Sequence, residues 1–103
     1  MTTPTLPCNT DAQCAFLRFV REAIILGTRH GIFEGNDRRD FVRAVRAADI
    51  EACTDFALGV VCEFLVRSNP VTDHCGHRFY LAPYLYLRDL GRQANIIPPG
   101  DPS

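Results

Sequence analysis

The sequence predicts a mainly α-helical fold: a small bundle of three longer helices and one short C-terminal helix, stapled by a Cys/His zinc site. Apolar residues recur at helical spacing in three segments, and glycine, proline and capping residues separate these segments. With 103 residues, 47% of them hydrophobic, the chain can bury the core of one domain. The helical domain is predicted over residues 10–92, between a flexible leader, residues 1–9, and a flexible proline-rich tail, residues 93–103.

The first helix is predicted from Thr10 to Leu26. Apolar residues such as Phe16 and Phe19 repeat at helical spacing along this segment, with charged residues on the other face. Gly27 is the predicted C-terminal stop, because glycine often ends helices. Residues 31–36 then form a turn that holds a small apolar plug.

The second helix is predicted to follow an N-terminal cap at Asp37 or Asn36 and to run to about Ala48. Apolar side chains occupy one face of this segment. The other face is basic, and its arginines are Arg38, Arg39, Arg43 and Arg46.

The third helix is predicted from Ile50 to about Arg67, capped by Asp49. Its segment 56–66 is apolar almost all round, which is typical of the central helix of a bundle. Pro70 prevents the helix from continuing.

The fourth helix is predicted to be short, from Pro83 in its first turn to Leu90, with Gly91 at its end. The preceding residues, 78–81, are predicted to be extended. The predicted core comprises Phe16, Phe19, Val20, Ile24, Phe41, Val45, Phe56, Val60, Val61, Phe64 and Leu65.

Two of the three histidines and one of the five cysteines fall within residues 74–77. Imidazole and thiolate are the ligands that structural zinc prefers, and a closed site needs four of them. The predicted ligands are His74, Cys75, His77 and Cys62. His30 is another neighbour that could serve, and Cys8 and Cys14 could complete the set if the leader folds back.

The amino terminus lacks the basic start and apolar run of a secretory signal, and no apolar stretch is long enough to span a bilayer. A cytoplasmic or nuclear location is therefore expected, without membrane association. In such a reducing compartment, the five cysteines are expected to be thiols or metal ligands, not disulfides.

The third helix also carries Leu58, Cys62 and Val66 at i, i+4 and i+8, which form one narrow apolar stripe. The segment 57–66 resembles the BC box, through which SOCS-box proteins and several viral accessory proteins dock on Elongin B/C. In that family a later element with a proline and leucines contacts a cullin. Residues 80–90 lie at about that distance, with one proline where the fuller cullin-5 pattern has two. The resemblance thus implies a protein partner that binds Leu58, Cys62, Val66, Leu81, Pro83 and Leu85.

All eleven basic residues are arginine, and the chain has no lysine. A GC-rich coding sequence explains this composition. The absence of lysine would also suit a protein that works beside a ubiquitin ligase, because the chain offers ubiquitin no side-chain acceptor. The leading hypothesis is a zinc-stabilised adaptor, such as a viral accessory protein that engages host ubiquitin-ligase components.

RNA binding is the main alternative. Its candidate residues are Arg38, Arg39, Arg43 and Arg46, with Phe79, Tyr80, Tyr84 and Tyr86 as aromatics that could stack on bases. A small viral silencing suppressor would be of this type. The formal net charge of −1 argues against a protein that coats nucleic acid with its whole surface.

Self-association is a third alternative, because the aromatic and aliphatic run 79–90 would leave an apolar patch if nothing covered it. Enzymatic activity is not expected. The sequence has neither a glycine-rich phosphate loop nor a zinc-protease helix motif, and a short helical chain rarely builds a substrate cleft.

Overall fold

The computed structural model describes residues 11–68 and 77–98, of which residues 77 and 78 are described by their backbone alone. These residues form four α-helices and no strand. The mainly helical class is therefore confirmed. The helices are α1 (Asp11–Arg29), α2 (Asp37–Arg46), α3 (Ile50–Arg67) and α4 (His77–Gln93).

The predicted bounds of α3 are confirmed at both ends. The Asp49 carboxylate accepts a hydrogen bond from the Ala52 backbone N–H at 3.1 Å, as expected of an N-cap. Helix α2 begins at Asp37, so Asn36 is at the cap position, although its side chain makes no cap hydrogen bond. The helix ends at Arg46, two residues before the predicted end at about Ala48.

The prediction for α1 is wrong at its C-terminus, because the helix continues through Gly27 to Arg29. Gly27 is buried, and a Cβ added there would lie 2.6 Å from a ring carbon of Phe33. The absence of a side chain at Gly27 thus makes room for Phe33, an apolar residue of the turn 31–36. Gly31, with φ of 67°, provides the left-handed residue that ends α1.

The prediction for α4 is wrong at both ends. The helix starts six residues before Pro83, so residues 78–81 are helical and not extended, and it continues past Gly91 to Gln93. Proline inside a helix costs about 3 kcal/mol. Burial of Leu87 and Leu90 along the same helix offsets that cost.

Helix α4 runs antiparallel to both α1 and α3. Its first turn meets the C-terminal ends of these helices, because Tyr80 lies beside both His30 and Phe64. Near its other end, a Cβ added at Gly91 would lie 3.3 Å from Phe19 of α1. Helix α2 packs on α1 and α3 but does not contact α4.

The core lies between α1, α3 and α4 and extends to α2 through Phe41, whose ring stacks on Phe56. Most of the predicted core residues are either buried or packed against the buried core. Leu65 is the exception, since 49% of its surface is exposed. Ile96 and Ile97, which belong to the predicted tail, pack against the core.

Candidate functional site

The outer face of α3 is defined here by Leu58, Gly59, Cys62, Leu65 and Val66. Cys62, Leu65 and Val66 are exposed, Val66 by 61%, and Leu58 is half-buried. The three BC-box positions thus share a stripe that leads from the edge of the core to solvent. The periodicity of an all-apolar helix could not reveal which of its faces is open.

Gly59 leaves the backbone bare in the middle of this outer face. It is exposed, and apart from its chain neighbours and the backbone of its own helix, a Cβ added there would meet no atom within 4 Å. Glycine inside a helix costs about 1 kcal/mol relative to alanine. Packing among the described residues gives no reason for a glycine at this position.

The two described free cysteines differ in access. Cys53 is fully buried, and burial, followed by the nearby Asp49 carboxylate, raises the pKa of its thiol. Cys62 is free and exposed. Cys62 is thus the accessible thiol of the pair.

Cys14 is disulfide-bonded, and its partner lies outside the described residues. The expectation that all five cysteines are thiols or metal ligands is therefore wrong at Cys14. A cysteine in a disulfide supplies no thiolate to a metal, so Cys14 does not complete a zinc site in this structure.

Three of the predicted zinc ligands cannot be placed: His74 and Cys75 lie outside the described residues, and so does the side chain of His77, the first residue of α4. Within the described ranges, no group of three or more His, Cys, Asp or Glu side chains could hold a metal ion. Cys62 lies about 160° around α3 from Phe64, which contacts Tyr80 of α4. The predicted ligand Cys62 therefore points away from the start of α4.

His30 lies beside the start of α4 instead. Its ring centroid is 4.7 Å from that of Phe79 and 5.3 Å from that of Phe64. The buried Nδ1 atom of His30 has no hydrogen-bond partner among the described residues. Burial, followed by the charge of Arg29, lowers the pKa of His30, which favours the neutral imidazole.

The α4 residues of the predicted partner site do not share one surface. Leu81 and Leu85 lie on one face of the helix, one turn apart, whereas Pro83 lies on the opposite side. Only Leu85 of the three is exposed.

The four predicted RNA-binding arginines do lie together. Arg38, Arg39, Arg43 and Arg46 surround one surface cavity of about 410 Å³, with Val42 between them. The aromatic residues predicted to stack on bases lie on α4, which α2 does not contact. The arginines and these aromatics therefore belong to separate parts of the molecule.

Among the described residues, these features define four packed helices with two separate surfaces, an apolar face on α3 and a cationic face on α2. Within the described ranges, none of the helices contains an apolar stretch that could span a lipid bilayer. No known family model, curated protein or solved structure matches this chain.

Proposed function

We propose that this chain is a non-enzymatic interaction protein that docks on a partner through the outer face of α3, and that the partner is Elongin B/C. The observation that carries the proposal is the exposure of Cys62 and Val66, two of the three BC-box positions. A partner can reach this stripe without unfolding the bundle. Apolar residues at i, i+4 and i+8 are the pattern by which one helix enters a partner's groove.

Gly59 supports close docking. A bare backbone lets a partner approach the helix axis more closely than a side chain would allow. No packing contact within the described fold compensates for the destabilising effect of this glycine on the helix. We therefore attribute the glycine to a role in binding.

The proposal includes a zinc ion that joins the start of α4 to the end of α1. His74, Cys75 and His77 supply three ligands within the four consecutive positions 74–77, and we assign the fourth to His30 in place of Cys62. The His30 ring contacts Phe79, two residues after His77, and its buried Nδ1 has no hydrogen-bond partner among the described residues, so a bound metal would satisfy it. With His30 as the fourth ligand, Cys62 stays free for docking, so the two roles no longer compete.

Co-purification with Elongin B/C tests the docking proposal. We expect Leu58→Ala combined with Cys62→Ala to abolish association, because the pair removes two of three apolar anchors. We expect Gly59→Gln also to abolish it, by blocking close approach, while raising the free energy of unfolding by about 0.5–1 kcal/mol. Loss of binding in a more stable variant cannot be attributed to unfolding.

Ile25→Ala is the matched control, because Ile25 is an exposed apolar residue on α1, outside the outer face. It should leave association unchanged. Absence of association in the wild-type chain would reject Elongin B/C as the partner. Unchanged association of both outer-face variants would reject the outer face as the docking site.

A further inference from the structure

The cationic face of α2 consists of Arg38, Arg39, Arg43 and Arg46, all of them exposed. Arg39, Arg43 and Arg46 follow one another at i, i+4 and i+7, so helical geometry places them along one stripe. The rise of 1.5 Å per residue spreads this stripe over about 10 Å of the helix axis. The face therefore concentrates positive charge in a chain whose net charge is −1.

None of these four arginines forms an ion pair with a carboxylate within the described ranges. The ion pairs found there join Arg21 to Glu22, Arg67 to Glu63 and Arg88 to Asp89. Arg38 is held by a neutral group, because its Nε donates to the Thr28 hydroxyl at 2.9 Å. The Thr28 hydroxyl donates in turn to the Ile24 carbonyl at 2.7 Å, so the Arg38 side chain is oriented without loss of its charge.

The acidic residues of α2 do not line the cavity that the four arginines share. Asp40 lines a separate cavity towards α3, together with Arg43 and Phe56, and Asp37 lies further round the helix. The four arginines that line this cavity carry like charges that repel one another, and an anion bound between them would relieve that repulsion.

The chemistry of the face fits phosphate. Guanidinium groups bind phosphate oxygens in a planar, bidentate geometry. Helix α2 does not contact α4, so the aromatic residues of α4 are not part of this face. The face itself therefore offers no aromatic ring on which a base could stack. Recognition here would be of successive backbone phosphates, without base specificity.

We propose that the α2 face binds the phosphodiester backbone of a nucleic acid. This site is separate from the outer face of α3 and does not depend on the docking proposal. Single-stranded and duplex RNA carry the same backbone chemistry, and the experiment distinguishes these two sources.

The test measures binding of fluorescently labelled single-stranded RNA and of the corresponding duplex over a range of salt concentrations. We expect wild-type binding to weaken steeply as salt rises, because bound arginines release counterions. Arg39→Ala combined with Arg43→Ala should weaken binding and reduce the slope of log K against log salt by about 2, about one per lost contact. Arg88→Ala combined with Arg92→Ala removes the same charge from α4 and should leave the slope unchanged.

Binding of either RNA form with these variant effects supports the site. Absence of binding of both forms at about 50 mM salt would overturn it. An equal loss of slope in both double variants would also overturn it, because net charge would then explain the binding. Equally tight binding of a poly-glutamate peptide at the same face would point to an acidic protein ligand and reject nucleic acid.

Discussion

Phe64→Ala is expected to lower the free energy of unfolding by about 3–5 kcal/mol, the range for a fully buried phenylalanine. The Phe64 side chain is completely buried and contacts both His30 and Tyr80. It therefore joins α3 to the end of α1 and to the start of α4. Since small domains are stable by only about 5–15 kcal/mol, this loss is a large share of the total.

The adjacent Leu65→Ala is the matched control, because Leu65 lies on the outer face with 49% of its surface exposed. It should cost about 1 kcal/mol or less. Urea unfolding followed by circular dichroism measures both values. Equal losses in the two variants would contradict the orientation of α3 in this fold.

Removal of zinc is expected to destabilise the protein. Protein purified without added metal should contain close to one zinc per chain, since the proposed ligand set binds one ion. At a free zinc concentration of about 100 times the Kd, binding contributes about 2.7 kcal/mol, so a chelator should lower the Tm by about 10 °C or more. A zinc content near zero, together with unchanged melting in chelator, would exclude the staple.

Two substitutions separate the candidate fourth ligands. His30→Phe keeps an aromatic ring against Phe64 and Phe79 but removes the ligating nitrogen, so the folded variant should retain less zinc. Cys62→Ala should retain zinc at the wild-type level. The opposite pattern would restore Cys62 as the ligand, and zinc retention by both variants would exclude each of them.

Local signals in the sequence predict α3 well. Asp49 supplies a cap at one end, and Pro70 prevents continuation at the other. The start of α4 could not be predicted in this way. Proline is favoured in the first turn of a helix, so the sequence predicts a start near Pro83. The helix extends further since packing of Tyr80 and Leu87 against its neighbours offsets the missing hydrogen bond.

The candidate surfaces also differ in whether the local sequence or the packing of distant segments determines them. Helical periodicity alone places Arg39, Arg43 and Arg46 on one stripe, so the cationic face could be predicted from the sequence. The exposure of Leu65 could not, because α3 is apolar almost all round and only its neighbours decide which face is covered. The position of His30 beside Phe79 likewise depends on the antiparallel arrangement of α1 and α4.

The most direct test of the central claim, that the outer face of α3 binds Elongin B/C, is the alkylation rate of Cys62 with and without that partner. Cys53 provides an internal reference, because this buried thiol should react only when the protein opens. We predict rapid alkylation of Cys62 in the free protein and protection in proportion to the fraction bound. Formation of a stable complex in which Cys62 reacts as fast as in the free protein would contradict the claim.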